Sequence, residues 1–233
     1  INDGTGAFGP ITRWPIDRCG GGDVDAFDMD NDGDLDVVNL EELDCAGIGL
    51  GDRVFISRNN GDGTFQAPWT IESGNGPLNL AAGDFNGDGN VDLVAVHRSS
   101  SSSGGRVSLH LGNGDGTVQE ESVFYVGDAP RVVVAADLDG DGHLDVATGN
   151  NGGPETMTVL WGTGTGSFTG RQDYYAPYSP DLDGMLGVEA GDVDGDGDLD
   201  LFLGRADSGK IRWYRHTGVE GGVPQYELAG EQF

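Results

Sequence analysis

The chain has 233 residues and a formal net charge of −28 at pH 7, so its surface repels nucleic acid and anionic membranes and attracts cations. We therefore exclude nucleic acid as a partner, and no apolar run approaches the roughly 18 residues of a membrane-spanning helix. The 43 glycines have no three-residue period, which excludes collagen and predicts many tight turns.

Two short motifs alternate along the chain. The first is an Asp-rich nonapeptide at 28–36, 84–92, 137–145 and 192–200, with starts 56, 53 and 55 residues apart. The second is a Gly-rich turn that ends at Phe8, Phe65, Val118 and Phe168, with a degenerate copy ending at Tyr226. Two interleaved motifs with one period, about 54 residues, indicate a repeat architecture.

In chain order, an orphan outer strand within 1–17 comes first, and four units follow at approximately 22–73, 78–127, 131–176 and 186–230. Each unit has four short apolar runs, two around the Asp loop and two around the Gly-rich turn, and none has a helical period. Four-stranded antiparallel units at this spacing are typical of β-propeller blades. We therefore predict an all-β fold, with about four blades in a single array over 1–233. The first run of most units ends in small residues, which predicts the innermost strand.

Each Asp loop reads D-x-[DN]-x-D-G-x-x-D. Positions one, three and five offer short oxygen ligands, position six is the Gly of a sharp turn, and position seven offers its backbone carbonyl. Position nine closes the shell, and the Leu or Val at position eight is expected to point into the core. These positions follow the calcium-ligand pattern of an EF-hand loop, but the Glu at position twelve is missing. The candidate ligand positions are Asp28, Asp30, Asp32, Asp34 and Asp36; Asp84, Asn86, Asp88, Asn90 and Asp92; Asp137, Asp139, Asp141, His143 and Asp145; and Asp192, Asp194, Asp196, Asp198 and Asp200.

Solvated Asp-Gly turns are the alternative interpretation of these loops. So many carboxylates within about nine residues would repel one another without a cation. Magnesium prefers fewer carboxylates and more water, and zinc lacks His or Cys ligands here. We therefore predict about four Ca²⁺ ions. The Gly-rich turns, in contrast, are predicted to be hairpin turns, because Thr165 replaces the acidic Asp62 and Asp115 of the other copies.

The Asp loop, the apolar strand after it and the Gly-rich turn ending in Phe together resemble the FG-GAP/VCBS repeat. That repeat builds the propeller of integrin α chains and of many secreted bacterial proteins and fungal lectins. The resemblance implies calcium in the loop between the first and second strands of each blade, and Asn86 departs from Asp at position three. Family propellers usually have seven blades. The chain is therefore a fragment of a larger propeller, a smaller ring or one part of an assembly.

No catalytic constellation is recognisable, because the four histidines (His97, His110, His143 and His216) are scattered and no G-x-S-x-G motif occurs. We expect a secreted or cell-surface module for recognition or adhesion, with a carbohydrate or extracellular protein as ligand, and not an enzyme. The alternatives are a structural or assembly unit of a larger extracellular protein or filament, and an accessory propeller of a secreted enzyme. The orphan strand is expected to meet missing flanking sequence or another copy of the chain.

Two smaller features complete the sequence predictions. Cys19 lies just before the first unit and Cys45 in its long loop 41–52, and the two are predicted to form a disulfide, with two unrelated buried thiols as the alternative. The connection between the third and fourth units is longer than the others and carries Tyr174, Tyr175 and Tyr178. These tyrosines either cover the blade junction or offer a flat surface to a sugar or protein.

Overall fold

The computed structural model of the chain describes residues 21–41, 51–74, 76–97, 104–152, 155–175, 185–205, 211–220 and 223–232. The predicted orphan strand, Cys19, Cys45 and Tyr178 lie outside these residues. Within the described part of the chain all regular structure is β, and no helix there is long and apolar enough to cross a membrane.

The strands are β1 (Gly21–Phe27), β2 (Asp36–Glu41), β3 (Arg53–Ser57), β4 (Trp69–Glu72), β5 (Pro77–Gly83), β6 (Asp92–His97), β7 (Gly105–His110), β8 (Ser122–Val126), β9 (Pro130–Ala136), β10 (Asp145–Asn150), β11 (Glu155–Gly162), β12 (Phe168–Tyr175), β13 (Met185–Gly191), β14 (Asp200–Arg205), β15 (Ile211–Glu220) and β16 (Val223–Gln232). They form four antiparallel four-stranded sheets, each with its strands in sequence order. The predicted fold of four-stranded propeller blades is confirmed.

The Asp loop connects the first two strands of every blade. The residue before the loop pairs with position nine in all four blades: Phe27 with Asp36, Gly83 with Asp92, Ala136 with Asp145, and Gly191 with Asp200. The nonapeptide is therefore the tip of a hairpin, and the register of β1–β2 and its equivalents sets the orientation of each carboxylate.

The first strands of the four blades lie around a common axis. Residues of β1, β5, β9 and β13 line one cavity of about 360 Å³. Side chains of these strands link successive blades, since Asn79 Nδ2 donates to Asp23 Oδ2 (2.6 Å) and the Val133 amide donates to Asn79 Oδ1 (2.7 Å). Small residues at the loop end of the strands allow this convergence, and the prediction that they are innermost is confirmed.

Three apolar cores hold the blades together, one at each junction between consecutive blades. Position two of each of the first three loops inserts forward into such a core, and Met29, Phe85 and Leu138 are all buried. Their carbonyls accept hydrogen bonds from the next blade, from the Gly116 amide (3.0 Å), the Gly166 amide (2.9 Å) and the Tyr226 hydroxyl (3.3 Å). Position two thus joins each of the first three Asp loops to the following blade.

The side chain at position eight packs against the preceding blade, in the direction opposite to position two. Val91, Leu144 and Leu199 lie in the core shared with the preceding blade. Leu35 is the exception, because 58% of it is exposed to solvent. The prediction that position eight points into the core is wrong for Leu35, and the reason is that no blade precedes the first one in the described chain.

The Gly-rich turns are hairpin turns, as their sequence predicted. Asn60 and Asn113 donate their amides to the carbonyls of Thr64 and Thr117, each at 2.9 Å. Asp62 accepts hydrogen bonds from the Thr64 amide and hydroxyl, and these bonds lower its pKa. The carboxylate is thus committed to its own turn. In the fourth blade the degenerate copy is instead a long hairpin of β15 with β16, in which His216 pairs with Tyr226.

Candidate metal centres

Two backbone positions of each Asp loop have positive φ. Position six is Gly throughout, with φ of 92°, 83°, 89° and 97° at Gly33, Gly89, Gly142 and Gly197. Position four is also left-handed, with φ of 58°, 76°, 74° and 80° at Asn31, Gly87, Gly140 and Gly195. Gly and Asn adopt this conformation at the lowest cost. The sequence analysis identified position six and missed position four, although Gly occupies it in three copies.

Backbone amides of the loop orient the carboxylates at positions one and five. The amide of position six donates to Oδ2 of position one at 2.9–3.0 Å in all four loops. The amide of position seven donates to Oδ1 of position five at 2.8–3.0 Å. Each carboxylate is therefore held by the loop that carries it, which leaves lone pairs free for an ion.

Three of the loops gather three carboxylates each, with one oxygen per residue and all three oxygens within 4.8 Å of one another. The groups are Asp28, Asp30 and Asp32; Asp137, Asp139 and Asp145; and Asp192, Asp194 and Asp196. In two of them a buried carboxylate oxygen has no hydrogen-bond donor, namely Asp30 Oδ1 and Asp137 Oδ1. Buried acceptors without donors are uncommon. A hard cation with oxygen ligands fits this donor set, and calcium accepts such all-oxygen shells.

The pKa values of carboxylates in the third and fourth loops also favour a bound cation. Burial, aided by the charges of Asp139 and Asp141, raises the pKa of Asp145 to about 7. Burial also raises the pKa of Asp139, and desolvation together with the charge of Asp196 raises the pKa of Asp194. Carboxylates with raised pKa values hold protons more readily, and a bound cation would take the place of those protons.

The second loop differs because Asn86 occupies position three. Its side-chain amide donates to Asp88 Oδ2 at 2.9 Å, so a neutral donor partly satisfies a carboxylate that an ion would otherwise use. Hydrogen bonds from the Asn90 amide and from Asn86 lower the pKa of Asp88. Among the described residues, this loop does not form a three-carboxylate group. Of the four loops, its carboxylates are the least well placed to bind a cation.

Position nine performs a structural task that the sequence did not reveal. Asp36, Asp92 and Asp145 are buried, and each accepts two backbone amides, one from position two of its own loop and one from a residue at or just beyond the end of the third strand. For Asp92 these donors are Phe85 at 2.8 Å and Gly112 at 2.7 Å. The other bonds, at 2.7–3.0 Å, are Met29 and Asn59 to Asp36, and Leu138 and Gly162 to Asp145. Position nine thus pins the loop to the sheet, and its role as a metal ligand remains a prediction.

Two of the four side chains at position seven contact residues outside their own loops. Asn90 Oδ1 accepts from Asn31 Nδ2 of the first loop at 2.8 Å, and Asp198 Oδ2 lies 3.0 Å from His216 Nδ1 on β15. His143 is exposed. The variety of these side chains agrees with a position whose backbone carbonyl is the predicted ligand.

Comparison with known proteins identifies the repeat. A family model described as the FG-GAP-like repeat matches residues 42–95, 86–148 and 137–203. The chain belongs to the FG-GAP repeat family. It is also 31% identical over 176 residues to cartilage acidic protein 1 of Xenopus tropicalis, an alignment that covers 66% of this chain and 25% of the relative. The chain therefore spans about a quarter of the length of that relative.

The tyrosines of this FG-GAP propeller divide between packing and surface. Tyr174 is buried at the junction of the third and fourth blades, where its hydroxyl donates to the Pro224 carbonyl at 3.0 Å and its ring meets Tyr226 edge to face. Tyr175, the next residue of β12, is 60% exposed. Tyr174 therefore serves blade packing, the first of the two roles considered, and Tyr175 is available to a ligand.

Two histidines of the second FG-GAP blade lie in a buried polar network. His97 Nε2 is 2.7 Å from Ser108 Oγ, His110 Nε2 is 3.0 Å from Ser73 Oγ, and the two hydroxyls are 3.1 Å apart. Burial, with the charge of Arg106 in second place, lowers the pKa of His97 to about 3. A Ser–His contact of this length satisfies the geometry of a nucleophile and base. All four residues are fully buried.

Proposed function

We propose that this chain is a calcium-binding FG-GAP propeller module of an extracellular protein. The observation that carries the proposal is the convergence of three carboxylate oxygens within 4.8 Å in the first, third and fourth loops. Buried oxygens without donors in the first and third loops support it. Positions one, three and five would supply side-chain oxygens and position seven its backbone carbonyl, a set that suits Ca²⁺.

Calcium in these loops would act on the packing between blades. In the first three loops, position two lies between two ligand positions, and its side chain fills the core shared with the next blade. An ion that orders positions one and three therefore also holds the side chain between them. Binding that occurs only in the folded state stabilises that state, by about 2.7 kcal/mol for one site at a hundred times its dissociation constant.

Thermal unfolding in calcium and in chelator tests the proposal. We expect the melting temperature to rise with calcium concentration and to fall on chelation. Equimolar Mg²⁺ serves as the control and should give a smaller rise, because it dehydrates reluctantly. Isothermal titration should show about four ions, with the second loop filling last. An unchanged melting temperature in chelator would refute calcium binding.

Within that module we propose recognition of a carbohydrate or protein ligand, without catalysis. Exposed aromatic side chains at Tyr125 and Tyr175 support a contact surface, since such rings combine apolar area with a polar tip. Similarity to a protein named for cartilage supports an extracellular location. A glycan array probed with the wild type and with Tyr175→Ser tests this role. Binding that Tyr175→Ser leaves intact would move the surface elsewhere, and absence of binding would reject carbohydrate.

A structural or assembly role is the second candidate. It is favoured by apolar side chains that are exposed at the first and last blades, although their counterparts at the blade junctions are buried.

A further inference from the structure

One position beside the third strand differs in chemistry among the four blades. It comes directly before the residue whose amide lies 2.7–2.9 Å from a carboxylate oxygen of position nine, and these amide donors are Asn59, Gly112, Gly162 and His216. The residues before the donors are Arg58, Leu111, Trp161 and Arg215. Leu111 and Trp161 pack in the apolar cores that their blades share with the following blade. The first blade therefore has a charged side chain at a place where the second and third blades have an apolar one.

Arg58 lies between the first Asp loop and the Gly-rich turn of the second blade. Its stem packs against Gly116 of that turn, where an added Cβ would meet Arg58 Cδ at 2.7 Å. The guanidinium extends beyond the stem: Nη1 donates to the Asp115 carbonyl at 3.3 Å and lies 3.8 Å from Asp30 Oδ2. Arg58 thus keeps a packing contact between the two blades and adds a positive charge beside the Asp loop.

Asp30 occupies position three of the first loop and is a candidate calcium ligand. Its carboxylate belongs to the three-carboxylate group of that loop, and its Oδ1 is buried without a hydrogen-bond donor. Only 15% of the Asp30 side chain is exposed, so salt screens its attraction to Arg58 less than that of a surface pair. Arg215, at the same place in the fourth blade, instead bonds Glu227 on the neighbouring strand at 3.1 Å. In the first blade, therefore, a charged side chain of the protein faces a candidate calcium ligand.

We propose that Arg58 is an internal counter-ion of the first Asp loop, and that it weakens calcium binding at that loop. This inference rests on the proposed calcium-binding function. Without calcium, the guanidinium offsets part of the repulsion among the loop carboxylates. With calcium, the guanidinium repels the ion and competes with it for the charge of Asp30. The first and fourth loops contain five acidic residues each, so the charge count alone predicts equal affinity, and Arg58 makes the first loop the weaker of the two.

An NMR titration with calcium follows the loops separately, because the glycine at position six of each loop has its own backbone amide signal. Gly33, Gly142 and Gly197 report on the first, third and fourth loops, and each amide donates to the position-one carboxylate of its own loop. We expect the Gly33 signal to change at about tenfold higher calcium than the Gly197 signal. Arg58→Gln should remove this difference and leave the midpoints of Gly142 and Gly197 unchanged.

The chain offers a matched control for the loss of charge. Arg215→Gln removes the same charge from the same place in the fourth blade, and the Gly33 midpoint should stay at its wild-type value. Arg58→Lys keeps the charge and should also behave as the wild type. Arg58→Leu, which copies Leu111 of the second blade, replaces Arg58→Gln if that variant does not fold, and the same result is expected.

Thermal unfolding in chelator tests the counter-ion without calcium. Arg58→Gln should melt at a lower temperature than Arg215→Gln, because only the first change removes a counter-charge from an Asp loop. When Asp30→Asn is combined with each of them, the two arginine variants should melt alike, since the carboxylate that Arg58 faces is gone.

Two failures can be told apart. If the Gly33 midpoint is the same in the wild type and in Arg58→Gln, or if Arg58→Lys behaves like Arg58→Gln, Arg58 is only a contact between blades and the inference is wrong. If none of the three glycine signals responds to calcium, the proposed calcium-binding function is refuted. The comparison in chelator then decides by itself whether Arg58 is the counter-ion of Asp30.

Discussion

Replacing the buried carboxylate at position nine tests its structural role separately from metal binding. Asp92 accepts the Phe85 and Gly112 amides, and its replacement by Ala leaves two buried donors without partners. Hydrogen bonds to a charged group contribute about 1.5–3 kcal/mol each, so two of them amount to about 3–6 kcal/mol. Burial raises the pKa of Asp92, which shows that the carboxylate also carries a desolvation cost, and Ala removes that cost. We therefore expect Asp92→Ala to destabilise the protein by about 3 kcal/mol, the lower end of that range.

The control is Asp88→Ala in the same loop. Asp88 is exposed, and its bonds to the Asn90 amide and to Asn86 are open to water. Its loss should cost much less stability than the loss of Asp92 when calcium is absent. Urea unfolding in chelator compares the two variants, and equal m-values indicate that the denatured state has not changed. If the two variants lost the same stability in chelator, position nine would have no structural role beyond that of an ordinary loop carboxylate.

Three further outcomes are expected. Asn86→Asp restores the fourth carboxylate of the second loop and removes the amide bond to Asp88, so calorimetry should show calcium binding there about tenfold tighter; unchanged affinity would mean that the count of carboxylates does not set it. Asn31→Gly keeps the left-handed backbone but removes the bond to Asn90, so cooperativity between the first two loops, measured in the same titration, should fall. The pKa of His97 is lowered to about 3 in the folded chain. Below about pH 6.5, therefore, His97 binds a proton in the unfolded chain but stays neutral in the folded chain. His97 should therefore lower the unfolding free energy on acidification by up to about 1.4 kcal/mol per pH unit, and His97→Gln should remove this contribution between pH 6.5 and 5 but leave that of His110, whose pKa burial also lowers.

The sequence predicted the blades and their Asp loops because both depend on local spacing. The role of position nine depends on an amide from a distant strand, such as Gly112 for Asp92, and this partner is known only once strand register is known. Leu35 and Leu144 have the same motif position, so their motif does not distinguish them. Their different exposure comes from the presence or absence of a preceding blade within the residues that the structure describes.

The sequence also did not predict which of two neighbouring tyrosines is buried. Tyr174 and Tyr175 are adjacent on β12, and the alternation of a strand places one inside and the other in solvent. A composition-based interpretation of this Tyr-rich segment treats them alike. Tyr226, in turn, was predicted only as the end of a degenerate turn, whereas its hydroxyl replaces the backbone amide that earlier blades donate to position two.

The opposite directions of positions two and eight have a consequence for how such a chain changes during evolution. A single repeat contains both the side chain that enters the next blade and the one that rests on the previous blade. Duplication of one repeat therefore adds one surface of each kind, and deletion removes one of each. The numbers of forward-facing and backward-facing surfaces stay equal whenever whole repeats are gained or lost.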